Sequence, residues 1–424
     1  MAIRLHHSLR HAAWAVIVPL ALYAIFLILA VNPFFQRHFV YAHKISSLLW
    51  SDLNNPGKWG FARNQVTPFQ LGTADGETIY AWHILPLPTY LQNEDALSVG
   101  SPAFAQDVTQ TESFKLLKED PEAKVILNCG FIPLPVSGTS MIPNTSVHGG
   151  SPAHARPAQN AGHVAEVIRP ATYHSLTATS NYHIITFDYR GYGHSTGSPD
   201  EAGLVEDGSA VVEWVMNVAG IPPERILLLG QSLGTAVASA VTERYVSRGV
   251  EFAGLVLVAG FSDLATMLAE YRIGGVFPVL APLRSWPFLI NLLQSLVVDT
   301  WRTDDRLASI VRNTKNRLRL SLVHAKNDAD IPWTQDNKLF RAAVNEVVKI
   351  EGHEDFDAWK QTKTIRTSDD AFVTTWKSDP DVIVRQELFA VGGHNNIMTY
   401  APLPLAIMRC FNSAGTGRSR GGEE

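Results

Sequence analysis

Apolar positions fall into three patterns along this chain, and each predicts a different element. The first is one unbroken run, Ala12 to Val31, AAWAVIVPLALYAIFLILAV, twenty residues without a charge. A helix of that length covers about 30 Å, the hydrocarbon thickness of a bilayer, so the run predicts one membrane span. Pro19 inside it is tolerated where neighbouring groups satisfy the freed carbonyl. The competing element is a cleaved signal peptide, whose apolar core is shorter and ends in a small-x-small site. This run ends in Val31-Asn32-Pro33-Phe34-Phe35 instead. The second pattern is alternation, at Val66 to Gly72 and Glu77 to Leu85 around Asp75-Gly76, a hairpin signal. The third is a series of short continuous apolar runs: Ala123 to Asn128, His183 to Phe187, Arg225 to Leu229, Gly254 to Ala259, Leu318 to His324 and Val382 to Val391. Such runs, separated by helix-length segments, predict strands buried on both faces of a parallel sheet. The fold class is therefore α/β, a mostly parallel, doubly wound sheet led by an antiparallel hairpin.

The stretches between these elements read as connections. Residues 34–64 form a membrane-proximal linker, Pro86 to Pro121 is polar and irregular, and Pro133 to Pro170 is a Pro/Gly/Ser/His-rich surface loop. Residues 351–381 are a charged insertion and 413–424 a disordered tail, leaving one domain over 65–412.

Composition narrows the functional classes. The chain has 424 residues, 46% hydrophobic and 18% charged, with 35 Lys+Arg against 40 Asp+Glu for a net charge of -5. Mean hydropathy is +0.01. These values exclude whole-chain disorder, and a pI of about 6.3 supplies no basic field for nucleic acid. Two cysteines, Cys129 and Cys410, exclude a disulfide scaffold and a cysteine zinc cluster. Across the span, Arg4 and Arg10 balance Arg37 and Lys44, while the amino terminus with His6, His7 and His11 tips the start of the chain to the cytosol. The body then lies on the lumenal side of an endomembrane such as the endoplasmic reticulum, in keeping with the Asn144-Thr145-Ser146 sequon.

Two segments match Gly-x-Ser-x-Gly, the turn that presents a nucleophilic serine. Gly193-His194-Ser195-Thr196-Gly197 runs on into Ser198-Pro199-Asp200, which speaks for a loop. Gly230-Gln231-Ser232-Leu233-Gly234 follows the aliphatic run Ile226 to Leu229 and leads into a helical sequence. Strand, tight turn and helix are the context the chemistry requires, so Ser232 is the candidate nucleophile; its bland reading is a helix N-cap. A serine needs an imidazole base held by a carboxylate. Asp328 and Asp330 lie in the loop after the strand Leu318 to His324, and Asp328 is preferred because Asp330 abuts Ile331-Pro332. His394, in Gly392-Gly393-His394-Asn395-Asn396, follows the last strand; its rival His353 has no strand before it. The oxyanion is expected on the backbone N–H groups of Leu233 and Phe131. Cys129, beside Phe131, has no CxxC spacing and reads as a buried small hydrophobe. No metal or organic cofactor is implied.

The run Asp188-Tyr189-Arg190-Gly191-Tyr192-Gly193-His194-Ser195, the Gly-Gln-Ser-Leu-Gly turn, the acid loop 324–332 and the terminal Gly-His-Asn resemble the α/β-hydrolase superfamily. Within it, the chain is similar over residues 120–410 to the membrane-anchored abhydrolase-domain-twelve-type lipases, and the anchor agrees in position. The resemblance implies a serine hydrolase acting on lysophospholipids or monoacylglycerols, and gives Ser195 a structural role. It also implies a cap over the site at residues 262–310, where a second apolar excess, Ser262 to Asp299, is broken by three prolines and Arg284. Core-facing helices are the other reading of that segment. The chain departs from the family in Cys129-Gly130 where a His-Gly turn is usual, and in its inserts at 133–170 and 351–381. Alternatives of other classes are a protein S-acyl thioesterase using the same machinery and an inactive hydrolase-fold scaffold.

Overall fold

The computed structural model describes residues 2–43, 52–100, 103–130, 162–166, 168–270, 272–273, 277–278, 280–283 and 285–412. Among the described residues twelve strands are formed: β1 (Val66–Gly72), β2 (Thr78–Ile84), β3 (Lys124–Cys129), β4 (Tyr182–Phe187), β5 (Ile226–Gln231), β6 (Gly254–Val258), β7 (Arg272–Ile273), β8 (Phe277–Pro278), β9 (Leu318–Ala325), β10 (Thr364–Ser368), β11 (Ala371–Ser378) and β12 (Val382–Phe389). Ten make one sheet in the order β1-β2-β4-β3-β5-β6-β9-β12-β11-β10, and β7 and β8 pair separately. The six central strands are parallel and the two at each end antiparallel.

The apolar runs become central strands because both faces of the sheet are covered. Along β5, Ile226 and Leu228 enter one core while Leu227 and Leu229 enter the other, the period of two that a pleated strand imposes. The first core is closed by helices Glu201–Glu213, Leu233–Val246, Thr303–Asn313 and Thr334–Val348, the second by Arg169–Thr179 and Pro402–Asn412. The result is three layers, helix, sheet and helix, with β3, β5, β6, β9 and β12 ending at the same edge.

Four regions differ from the sequence expectation. Helix Ala2–Ala30 covers the apolar run, but Pro33 restarts a second helix, Pro33–Tyr41, with the Asn32 side chain accepting from the Phe34 N–H at 3.0 Å. Among the described residues no single helix is long and apolar enough to cross a membrane; Trp14–Ala30 and Pro33–Tyr41 meet that test only together, bent by 92° at the break. The expected linker is thus partly helix, and Tyr41 is fully buried. The irregular stretch 86–121 holds a helix at Glu112–Glu119, capped by Thr111 and seated by Phe114 and Leu117. The charged insertion contributes helix His353–Gln361 and the hairpin β10–β11, which extends the sheet antiparallel at the far edge. Of the expected cap, helix Leu264–Glu270 enters the first core through Leu264 and Met267 and Thr303–Asn313 through Leu307 and Ile310, whereas Pro287–Ser295 buries none of its residues. Phe131, Asn144, most of the 133–170 loop and the 413–424 tail lie outside the described residues.

Candidate active site

Ser232 stands between β5 and helix Leu233–Val246 with φ 54° and ψ -126°, a backbone that a serine adopts only when its surroundings impose it. Two glycines impose it by close approach. A Cβ on Gly230 would lie 2.4 Å from the Gly234 carbonyl oxygen, and one on Gly234 would lie 2.1 Å from the Cys129 and 2.5 Å from the Gly130 carbonyl oxygens. The helix therefore folds back hard against its own strand and the end of β3. The Ser232 N–H donates to Val258 O at 3.0 Å, and its carbonyl accepts from the Thr235 N–H at 2.9 Å and hydroxyl at 2.6 Å. Leu233 opens the helix, in the first turn, where N–H groups have no acceptor within the helix.

The candidate acid and base come from neighbouring strand ends. β9 and β12 are adjacent and parallel, so their following loops meet. Lys326 N–H donates to Phe389 O at 2.7 Å, and Gly393 N–H donates to Asn327 Oδ1 at 2.8 Å. Between these two clasps, His394 Nδ1 lies 2.8 Å from Asp328 Oδ2. The other carboxylate oxygen, Oδ1, accepts the N–H groups of Asp330 at 2.9 Å and Ile331 at 3.0 Å. Gln231, next to Ser232, donates its amide to His394 O at 2.8 Å and to Asn395 Oδ1 at 3.3 Å. The nucleophile turn, the acid loop and the histidine loop are thus tied to one another by side-chain amides.

A second histidine lies behind the acid. His324, fully buried at the end of β9, places Nε2 3.2 Å from Asp328 Oδ2 and 3.0 Å from Ile331 O, and Nδ1 3.1 Å from Asp336 Oδ1. Acceptors on both sides of one ring favour the imidazolium. Burial alone would lower its pKa, but Asp336 and Asp328 outweigh that and raise it to about 10. For Asp328, burial would raise the pKa, yet the charge of His394 and hydrogen bonds from His324 and His394 hold it well below the carboxylate range. For His394, burial opposes the charged ring, and Asp328 followed by Asp330 raise the pKa above its ordinary value. Asp328, Asp330 and His394 bring one potential ligand atom each within 4.8 Å of one another. A cation there would have to break the 2.8 Å Asp328–His394 contact.

Of the residues expected from sequence, Asp328 and His394 are brought into contact and linked to the Ser232 turn; Phe131 is outside the described residues. Asp330 supplies an N–H to Asp328 and sits beside it. Ser195 Oγ donates to Asp188 O at 2.6 Å and accepts from the Tyr80 N–H at 2.9 Å, fastening a loop to β2. His353 lies on an exposed helix start against Arg341, away from these loops. Cys129 is a free, buried thiol that burial pushes up to about 12. Gln231, His324, Asn327 and Asp336 escaped the sequence reading. Only Gln231, inside the Gly-x-Ser-x-Gly turn, and Asn327, beside the acid, carried a signal there.

The chain is similar to known proteins in sequence and in structure. The chain is 28% identical over 180 residues to the lysophosphatidylserine lipase ABHD12 of Danio rerio, covering 42% of this chain and 44% of that protein. It is 32% identical over 171 residues to protein ABHD12B of Homo sapiens, covering 40% and 44%. The matches thus span less than half the length of these relatives. Among solved structures, an alpha-beta hydrolase from Vibrio vulnificus superposes with a TM-score of 0.48 at 11% identity, over 90% of this chain and 92% of that one. The alpha/beta hydrolase family profile matches residues 147–399, a stretch that holds Ser232, Asp328 and His394. The chain belongs to the alpha/beta hydrolase family.

Proposed function

We propose that the protein is a membrane-anchored serine hydrolase that cleaves carboxylic esters of single-chain lipids, of lysophospholipid or monoacylglycerol type. The observation that carries the reading is the 2.8 Å Asp328–His394 contact, clasped through Gln231 to the turn that presents Ser232. Ser232 Oγ adds to the ester carbonyl carbon while His394 Nε2 takes its proton; the carbonyl electron pair moves onto oxygen, facing the Leu233 N–H and a second backbone donor that chain order assigns to Phe131. Collapse of this adduct breaks the ester C–O bond, and His394 returns the proton to the departing alcohol. Water, deprotonated by His394, then adds to the acyl carbon; the bond to Ser232 Oγ breaks as His394 returns the proton to that oxygen, and the fatty acid leaves. Asp328 holds the imidazole with its proton on Nδ1, so that Nε2 is the accepting nitrogen.

Lipid as the substrate class is supported by the activity named for the ABHD12 relatives. Anchoring is supported by the exposed apolar side chains around helix Ala2–Ala30, among them Leu20 at 62% and Ile28 at 67%, a surface that water does not tolerate in bulk. A lumenal body on an endomembrane is supported by the amino terminus with His6, His7 and His11 before the apolar run and by the Asn144-Thr145-Ser146 sequon. The test is a fluorophosphonate probe on the full chain in detergent micelles, followed by hydrolysis of lysophospholipid and monoacylglycerol. Labelling lost in Ser232→Ala and release of fatty acid are expected. A folded wild type that does not label would leave only a scaffold. Release of acyl groups from protein thioesters and not from lipid esters would turn the reading into a thioesterase.

A further inference from the structure

A cavity of about 420 Å³ lies between the N-terminal helices and the segment that follows β6. Phe26, Leu27, Phe35 and Phe39 wall one side, Leu268 and Leu293 the other. Its volume falls in the range of small-ligand sites. Three polar residues also line it, Gln36, His38 and Gln294, and each is hydrogen-bonded to backbone. The Gln36 amide donates to Leu296 O at 2.8 Å and accepts from the Val298 N–H at 3.0 Å. His38 Nδ1 donates to Phe34 O at 2.7 Å, and Gln294 Nε2 to Ala265 O at 3.4 Å. What faces the space is mostly hydrocarbon, a lining that suits apolar ligands.

The helical pattern shows where this space opens. On Pro287–Ser295, Leu289 and Leu293 are half-buried on the inner face, while Phe288 and Leu292, 65% and 53% exposed, form an outer stripe one turn apart. That outer stripe and the exposed apolar surface of helix Ala2–Ala30 are two apolar surfaces with the cavity between the elements that bear them. The other wall, Leu264–Glu270, begins six residues after Val258, whose carbonyl receives the Ser232 N–H. We propose that this cavity binds the hydrocarbon chain of a single-chain lipid drawn sideways from the bilayer, with the anchoring helix itself as one wall. The proposal rests on the membrane-anchored reading above and adds a tail site to it.

The test uses the full chain in phosphatidylcholine vesicles. Leu268→Trp and Leu293→Trp each place an indole in the space. For a long-chain monoacylglycerol kcat/KM should fall about tenfold or more, because each methylene kept out of an apolar site forfeits roughly fourfold in affinity; a butyryl ester should be cleaved as before. Equal loss on both esters, or loss on neither, would overturn the tail site. Independently, a diazirine-bearing lysolipid in the vesicles should crosslink the Ser232→Ala protein on peptides containing Leu268, Leu293 or Phe35, and either tryptophan substitution should suppress it. Crosslinks elsewhere, or equal labelling by a diazirine fatty acid delivered on albumin without vesicles, would refute the bilayer route. Crosslinking at these peptides with no lipid ester hydrolysed by wild type would sink the hydrolase reading and leave the site standing.

Discussion

Replacing Asp328 by asparagine separates geometry from charge, because the amide has the carboxylate's shape. The structure dictates which way the amide must point. The Oδ1 position receives two backbone donors, from Asp330 at 2.9 Å and Ile331 at 3.0 Å. Turning an NH2 towards them would leave two buried donors facing donors, at about 1–3 kcal/mol for each, against one at the Oδ2 position, where His324 Nε2 lies 3.2 Å away and keeps Ile331 O as an acceptor at 3.0 Å. The carbonyl oxygen therefore takes the Oδ1 position and the NH2 faces His394 Nδ1, at the 2.8 Å contact. His394 must then accept at Nδ1 and carry its proton on Nε2, the wrong tautomer for taking a proton from Ser232. A loss of about 10⁴ in kcat is expected by analogy with the serine-protease triad, roughly 5.5 kcal/mol of barrier, with KM little changed. The assay is steady-state hydrolysis of a short soluble ester, with the fluorophosphonate labelling rate alongside and circular dichroism to show that the fold persists. A folded Asp328→Asn protein that keeps more than about a tenth of the wild-type kcat would refute the forced tautomer, and with it the role given to Asp328.

Other perturbations probe the surroundings. Asp330→Asn removes a charge that raises the His394 pKa; since the proposed mechanism uses His394 as neutral imidazole, the acid limb of kcat/KM should move to lower pH, and a limb that stays or rises would contradict the electrostatics. Gly234→Ala puts a methyl 2.1 Å from the Cys129 carbonyl oxygen, backbone that cannot swing away; a destabilisation of about 3 kcal/mol or more in urea titration and loss of labelling are expected. Tyr41→Phe removes a buried hydroxyl that donates to Asp299 at 2.8 Å and accepts from Trp301 Nε1 at 3.1 Å. It should lower stability by about 1–3 kcal/mol in the same titration while the short-ester kcat of the folded protein holds.

Much of the centre was legible because its chemistry is written in local sequence. The aliphatic run Ile226 to Leu229 has no polar face, so it belongs between two layers, where β5 lies. Ser232 was separable from Ser195 by the residues downstream of each, a helical stretch in one case and Ser-Pro-Asp in the other. Other features depend on partners far away in sequence. β10 reads as polar because four of its five residues are exposed, and its place comes from pairing with β11 at the sheet edge. The helix Pro33–Tyr41 is short, with aromatic and basic residues that mimic a linker; Tyr41 is held by Asp299 and Trp301, some 260 positions on. His324 carries no motif at all. Its role arises only when Asp328 and Asp336 close around it.

The joint between the apolar helix and the body has no slack. Two residues, Val31 and Asn32, separate helix Ala2–Ala30 from Pro33–Tyr41, and the latter is pinned by Gln36 to Leu296 and Val298, by Tyr41 to Asp299 and by Tyr192 to the Tyr41 carbonyl. A long tether would let a domain wander above a surface and sample a volume of solution. Here the domain inherits the tilt and depth of its helix. With that helix in a bilayer, the search for substrate passes from the enzyme to the lipid: the catalytic mouth stays at one height, and encounters are governed by lateral diffusion in two dimensions.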